Sequence, residues 1–139
     1  MDSASLPDIS LEKMNLTDLS GNIVELKVYS NNPLVINYWG TWCKPCIEEF
    51  PAFEEAKKQF GGKVNFIMVS DEPLEKLVKF KEKNNYTFTF LKSQDPLHKH
   101  GLRSFPTTYF YNEEGELVSR KTGSLSKNEI INSTKKTFK

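Results

Sequence analysis

The chain has 139 residues, which is enough for a real hydrophobic core, and we expect one domain over residues 1–139. Its 19 basic and 18 acidic side chains are interspersed and leave a net charge of +1, which argues against a protein that binds nucleic acid or an anionic membrane. No apolar stretch approaches the roughly 20 residues of a membrane span.

The N-terminal segment predicts a β-hairpin. Short apolar alternation between Leu6 and Leu26 flanks the turn signal Gly21-Asn22. The first residues, from Met1 to Asp8, contain neither the basic segment nor the apolar core of a signal peptide. The protein is therefore cytosolic, or a targeting segment has been removed from it.

A central strand and a long helix follow. The run Leu34–Trp39 is mostly apolar on both faces, as in a central strand. A helix is predicted from about Cys43 to Phe60, with Pro51 kinking it, because apolar residues recur every three or four positions. These residues are Cys46, Phe50, Phe53, Ala56 and Phe60. The opposite side of this helix is expected to carry its charged residues, which are Glu48, Glu49, Glu54, Glu55, Lys57 and Lys58.

The second half of the chain predicts an α/β fold. A strand over Val64–Val69 precedes a helix that begins near Pro73. Further on, the chain predicts a short extended piece, a late hairpin and a last helix. The extended piece is Thr87–Leu91, and the hairpin strands are Thr107–Tyr111 and Glu116–Lys121. The last helix begins with the capping box Ser126–Glu129. Its apolar face consists of Ile130, Ile131, Thr134 and Phe138. Because parallel βαβ units combine with antiparallel hairpins, we expect a mixed central β-sheet flanked by helices on both faces.

Cys43 and Cys46 are the only cysteines, and they lie at the start of the predicted helix. The outward amide N–H groups and the helix dipole favour a thiolate there, and the thiolate is the nucleophile of disulfide exchange. A purely structural disulfide is the weaker interpretation, because so small a ring removes little chain entropy. A zinc site needs about four ligands, and His98 and His100 lie far along the chain, so we expect no metal and no cofactor.

Two segments resemble the thioredoxin superfamily, with the TlpA/ResA-like branch of bacterial envelope thiol-disulfide oxidoreductases as the closest match. They are the stretch from Asn37 to Cys46 and the segment Phe105-Pro106-Thr107-Thr108. The resemblance implies a thioredoxin-like fold with an N-terminal β-hairpin extension. It also implies a redox-active disulfide between the two cysteines and a cis-proline, Pro106, that faces them.

The resemblance also suggests roles for individual residues. Cys43 is the expected attacking thiolate, and Cys46 the residue that resolves the mixed disulfide. In this branch a glutamate from the turn after the following strand approaches the cysteines. Glu72 falls at that place, with Asp71 as an equally near alternative, and could exchange a proton with Cys46 or only be an acid at a helix start. Asn37 stands where thioredoxins have a buried aspartate.

The remaining site residues are expected to face the substrate. Pro106 presents backbone that can pair with an extended substrate strand, and Phe105 precedes it. Trp42 packs beside the disulfide and shapes the approach to it, or is a plain core tryptophan. Lys44, which Pro45 follows, is expected either to lower the pKa of the Cys43 thiol and attract acidic segments of a substrate, or to be a solvated lysine.

The implied function is the reduction of protein disulfides in the periplasm or cell envelope, for example in cytochrome c maturation, with electrons from a membrane thiol donor. We expect a monomer with protein thiols or disulfides as substrates and no nucleic-acid partner. The alternatives are a disulfide oxidase or isomerase, a non-catalytic peptide-binding thioredoxin-like module, and a cytoplasmic location.

Overall fold

The computed structural model describes residues 11–29 and 31–138. The strands are β1 (Leu16–Thr17), β2 (Ile23–Val24), β3 (Leu34–Tyr38), β4 (Asn65–Ser70), β5 (Thr89–Ser93), β6 (Thr107–Tyr111) and β7 (Leu117–Thr122). The α-helices are α1 (Lys44–Phe60), α2 (Leu74–Lys83) and α3 (Lys127–Lys135). None of the helices in this part of the chain is long and apolar enough to cross a membrane.

The strands form one mixed sheet in the order β2-β1-β5-β4-β3-β6-β7. Strands β3, β4 and β5 are parallel, and the hairpins β1-β2 and β6-β7 add antiparallel neighbours. The predicted thioredoxin-like α/β fold with an N-terminal hairpin is therefore confirmed; the part of that prediction over Leu6–Ser10 lies outside the described residues. Strand β3 has a partner on each side and is wholly buried, so its C-terminal end is a rigid base for the cysteine loop.

The helices are less evenly divided between the two faces of the sheet than predicted. Buried residues of all three α-helices, such as Phe50, Leu77 and Ile130, belong to one hydrophobic cluster. The other face is covered mainly by short 3-10 turns and the N-terminal segment, through residues such as Leu26 and Leu97. The crossovers through α1 and α2 both move from β3 towards β5, and right-handed connections in one direction place their helices on the same face.

Two features of the helices differ from the prediction. Glu54 of α1 is buried rather than exposed, because its carboxylate accepts hydrogen bonds from the Thr87 N–H at 2.8 Å and the Thr87 hydroxyl at 2.6 Å. The capping box that begins α3 is confirmed, but this helix ends at Lys135. Phe138 therefore lies beyond the helix, where its exposed ring stacks on Phe60 with the centroids 5.9 Å apart.

Candidate active site

Cys43 and Cys46 form a disulfide at the N-terminus of α1. Cys43 is the N-cap residue, and its Sγ accepts a hydrogen bond from the Cys46 N–H at 3.3 Å. Cys46 lies inside the first turn with no exposed surface, whereas Cys43 keeps 4% of its surface exposed. An incoming sulfur can therefore reach Cys43 first, and the helix N–H groups stabilise negative charge on the Cys43 sulfur.

The loop before the disulfide presents Trp42 to solvent. Its side chain is 66% exposed, so it is not a core tryptophan. The indole lies across Gly40, where any Cβ would collide with it, and it meets the Phe105 ring edge-on at 5.6 Å between centroids. Gly40 therefore permits the indole to lie against the backbone of the loop that precedes Cys43.

The β6 side of the site carries Phe105 and Pro106, joined by a cis peptide bond. The pairing of Tyr38 with Thr107 places this segment next to the end of β3, and thus next to the cysteine loop. The Pro106 carbonyl accepts a hydrogen bond from the Gly123 N–H at 2.8 Å. The Phe105 N–H and carbonyl make no backbone hydrogen bond within the described ranges, so they are available to another chain.

Glu72 is buried and binds the cysteine loop rather than a cysteine. Its carboxylate accepts hydrogen bonds from the Thr41 N–H at 2.7 Å and the Thr41 hydroxyl at 2.5 Å. The Ser70 hydroxyl donates a third bond at 3.0 Å. The Lys92 ammonium holds the same turn, since it donates to the carbonyls of Asp71 and Glu72 at 3.1 and 3.0 Å.

Asp71, the other candidate for this position, points elsewhere in the site. Its carboxylate accepts a hydrogen bond from the Leu97 N–H at 2.8 Å. Lys44 and Pro45 are both exposed in the first turn of α1. Lys44 makes no side-chain hydrogen bond or ion pair among the described residues, whereas the Pro45 carbonyl accepts one from the Ser124 hydroxyl at 3.3 Å.

Glu49 is the site residue that the sequence prediction missed. It was expected on the exposed side of α1, but only 3% of its surface is exposed. Its carboxylate accepts hydrogen bonds from the Asn37 amide at 3.0 Å and from the Leu125 N–H at 2.7 Å. Burial is the main cause that raises its pKa from 4.5 to about 7, and these two hydrogen bonds oppose that rise.

The sequence spacing contains a signal for Glu49. It follows Cys46 by three residues and precedes Phe53 by four, so it lies on the same helix face as the buried stripe. The Asn37 amide, which also donates to the Thr108 hydroxyl at 3.1 Å, is buried as expected, although its Oδ1 has no partner among the described residues. This arrangement places a carboxyl that titrates near neutral pH one helical turn after Cys46.

No group of three or more metal-ligating side chains occurs in the described part of the chain. The chemistry that the site can support with its own residues is that of the sulfur pair. It combines an N-cap cysteine that keeps a small exposed surface, a partner cysteine with none, and a carboxyl one helical turn later with a pKa of about 7.

Comparison with known proteins agrees with this geometry. A sequence model described as the AhpC/TSA family matches residues 4–120. The thioredoxin-like protein YneN of Bacillus subtilis is 33% identical over 129 residues, which are 89% of this chain and 73% of YneN. The thiol-disulfide oxidoreductase ResA of Geobacillus kaustophilus is 34% identical over 121 residues, which are 83% of this chain and 68% of ResA.

A solved structure shows the same fold. The exposed lipoprotein thioredoxin Etrx1 of Streptococcus pneumoniae superposes with a TM-score of 0.73 at 24% identity, over 87% of this chain and 96% of Etrx1. The chain therefore belongs to the AhpC/TSA family of thioredoxin-like proteins, as a thiol-disulfide oxidoreductase of the ResA type.

Proposed function

We propose that this protein reduces disulfides of protein substrates in the bacterial cell envelope. The Cys43 thiolate attacks a substrate disulfide, forms a mixed disulfide and expels one substrate sulfur as a thiolate. The Cys46 thiolate then attacks the Cys43 sulfur and expels the second substrate sulfur. The substrate gains two electrons and the protein is left with its own disulfide, which a membrane thiol donor reduces again.

The unequal environment of the two sulfurs is the observation that carries this assignment. Of the two cysteines, Cys43 has the small exposed surface, and its Sγ accepts a hydrogen bond from the Cys46 N–H. Cys46 has no exposed surface. A sulfur in the first situation is suited to intermolecular attack, and one in the second to intramolecular resolution.

Trapping of the intermediate tests these roles. Cys46→Ser is expected to accumulate a mixed disulfide through Cys43 when it is mixed with an oxidised protein substrate, because the resolving thiolate is missing. Cys43→Ser, the matched control, is expected to trap none. Non-reducing gels with mass spectrometry identify the linked cysteine, and equal trapping by both variants contradicts the assignment.

The direction of electron flow is proposed from Glu49. An oxidising member of this class is strongly oxidising because its reduced form is stabilised. A carboxylate one turn after Cys46 instead disfavours a second negative charge in the site, and so disfavours the dithiolate. Equilibration with glutathione buffers measures the potential. A value near or below about −270 mV supports a reductant, and one near about −120 mV supports an oxidase.

Glu72 is proposed to position the cysteine loop. Its carboxylate holds both the N–H and the hydroxyl of Thr41, two residues before Cys43. Thr41→Val removes the hydroxyl bond and leaves the carboxylate in place. If Glu72 acts by position, Glu72→Gln and Thr41→Val slow exchange without changing the shape of the pH–rate profile. A profile that loses a limb only in Glu72→Gln indicates that Glu72 transfers a proton instead.

The substrate is proposed to lie along Phe105 and Pro106, beside the exposed indole of Trp42. The free N–H and carbonyl of Phe105 support pairing with an extended segment. Apocytochrome c is a candidate substrate, because its haem-attachment sequence contains a cysteine pair. Reduction of an oxidised Cys-x-x-Cys-His peptide by the dithiol protein tests this candidate, and a rate no higher than that of free dithiothreitol contradicts it.

A further inference from the structure

A cavity of about 340 Å³ opens beside the loop that carries Cys43. We call it the Trp42 cavity. Its aromatic walls are Trp39, Trp42 and Phe105, and its polar lining includes Asp71, His98 and Arg103. It therefore begins at the two aromatic residues that border the proposed substrate path and continues to the 3-10 turn Leu97–His100 and the residues after it.

The polar side of the Trp42 cavity carries one cation that has no partner. Arg103 is exposed, and its guanidinium makes no hydrogen bond or ion pair with any described residue. His98 is also exposed and its ring has no partner in the same ranges. Asp71 is the only acid among the described lining residues. The cavity thus offers the guanidinium of Arg103 without a partner, since the carboxylate of Asp71 accepts the Leu97 N–H and makes no ion pair with Arg103.

We infer, on the basis of the proposed function, that the Trp42 cavity binds an Asp or Glu side chain that the substrate carries next to its disulfide cysteine. Arg103 is the specificity-determining residue. Its planar guanidinium can take a carboxylate with two parallel hydrogen bonds. The volume suits one side chain with its adjoining backbone, and the aromatic walls offer apolar contacts to the methylene groups of that side chain.

Three synthetic peptides test this inference. Each contains one cysteine held as a mixed disulfide with 2-thiopyridine, and the residues on both sides of the cysteine are Glu, Gln or Lys. The Cys43 thiolate of the reduced protein attacks the peptide sulfur and expels thiopyridine, whose absorbance reports the rate. The Cys46 thiolate then attacks Cys43 and releases the peptide as a thiolate, so that the peptide is reduced and the protein oxidised by the same two electrons.

The second-order rate constants are expected to follow the charge of the peptide. The Glu peptide should react about threefold faster than the Gln peptide, and the Lys peptide about threefold slower, as for an exposed ion pair. Arg103→Gln should bring the three rates together, and Arg103→Glu should reverse their order. Salt at about 1 M should reduce the differences, because it screens exposed charges over a few ångströms.

Lys99→Glu is the matched control. Lys99 is exposed in the same 3-10 turn but does not line the cavity, and its substitution changes the net charge by the same amount as Arg103→Glu. The order of the peptides should survive in this variant. Because the Arg103 side chain has no partner in the described structure, its variants should keep the parent's circular dichroism spectrum.

The outcomes separate the two proposals. If the reduced protein reacts with none of the peptides, the proposed function itself fails. If it reacts with all three at the same rate, disulfide exchange stands and the acidic-substrate inference is overturned. Reversal of the order by Lys99→Glu also overturns it, because the preference then reflects net charge rather than this cavity.

Discussion

Glu49 makes the stability of this protein depend on pH. The side chain is almost fully buried, and its burial raises the pKa from 4.5 to about 7. Its two oxygens accept hydrogen bonds from the Asn37 amide and the Leu125 N–H, which hold the carboxyl in place. Replacement by Gln keeps the size and removes the charge, and its single acceptor oxygen keeps one of the two hydrogen bonds.

The magnitude follows from the two pKa values. The folded protein binds the Glu49 proton more tightly than the unfolded chain, so stability falls as the pH rises. The contribution of Glu49 to the free energy of unfolding is fully present below pH 4.5, and it is lost as the pH rises through about 7. The difference between the two values corresponds to about 3 kcal/mol in the free energy of unfolding.

Urea unfolding of the oxidised protein at about pH 4 and about pH 8 measures this effect. Relative to Glu49→Gln, the parent should lose about 3 kcal/mol between the two conditions. The comparison cancels the titration of all other groups. Glu48→Gln, an exposed neighbour in the same helix, is the control and should run parallel to the parent.

A parallel pH dependence would refute this reasoning. If the free energies of unfolding of the parent and Glu49→Gln differ by the same amount at every pH, the carboxyl of Glu49 does not titrate with a raised pKa. The constant difference then measures the hydrogen bonds to Asn37 and Leu125.

Two further predictions concern the loop and the last helix. Gly40→Ala should push the Trp42 indole off the backbone and break its contact with Phe105, which should change the tryptophan fluorescence and slow exchange severalfold; unchanged spectra and rates contradict the proposed role of the indole. Ser126→Ala removes the side-chain cap at the start of α3 and should lower the free energy of unfolding by about 1 kcal/mol in urea, whereas a change below about 0.3 kcal/mol means that water replaces the cap.

The cysteine pair and the sheet were largely predictable from local patterns. The run Leu34–Trp39 predicted a central strand, because both of its faces are mostly apolar, and the strand Leu34–Tyr38 is wholly buried. The N–H groups that act on Cys43 come from its own helix, so spacing alone located them. The capping box Ser126–Glu129 is equally local, and it formed as predicted.

The prediction failed where partners come from distant parts of the chain. Glu49 and Glu54 follow the charged pattern of an exposed helix face, but donors 76 and 33 residues away hold them in the interior. A helix periodicity cannot show such donors, because it describes one element and not its neighbours.

The sequence by itself determined the redox-active sulfur pair, the buried strand that supports it and the parallel connections that follow. These depend on residue spacing within single elements and on the handedness of the chain. Only the tertiary structure decided that Glu49 is buried with a pKa of about 7, that Glu72 binds Thr41, and that Trp42 and Arg103 border one cavity. Each of these depends on distances between residues far apart in the chain, and burial and charge act through such distances.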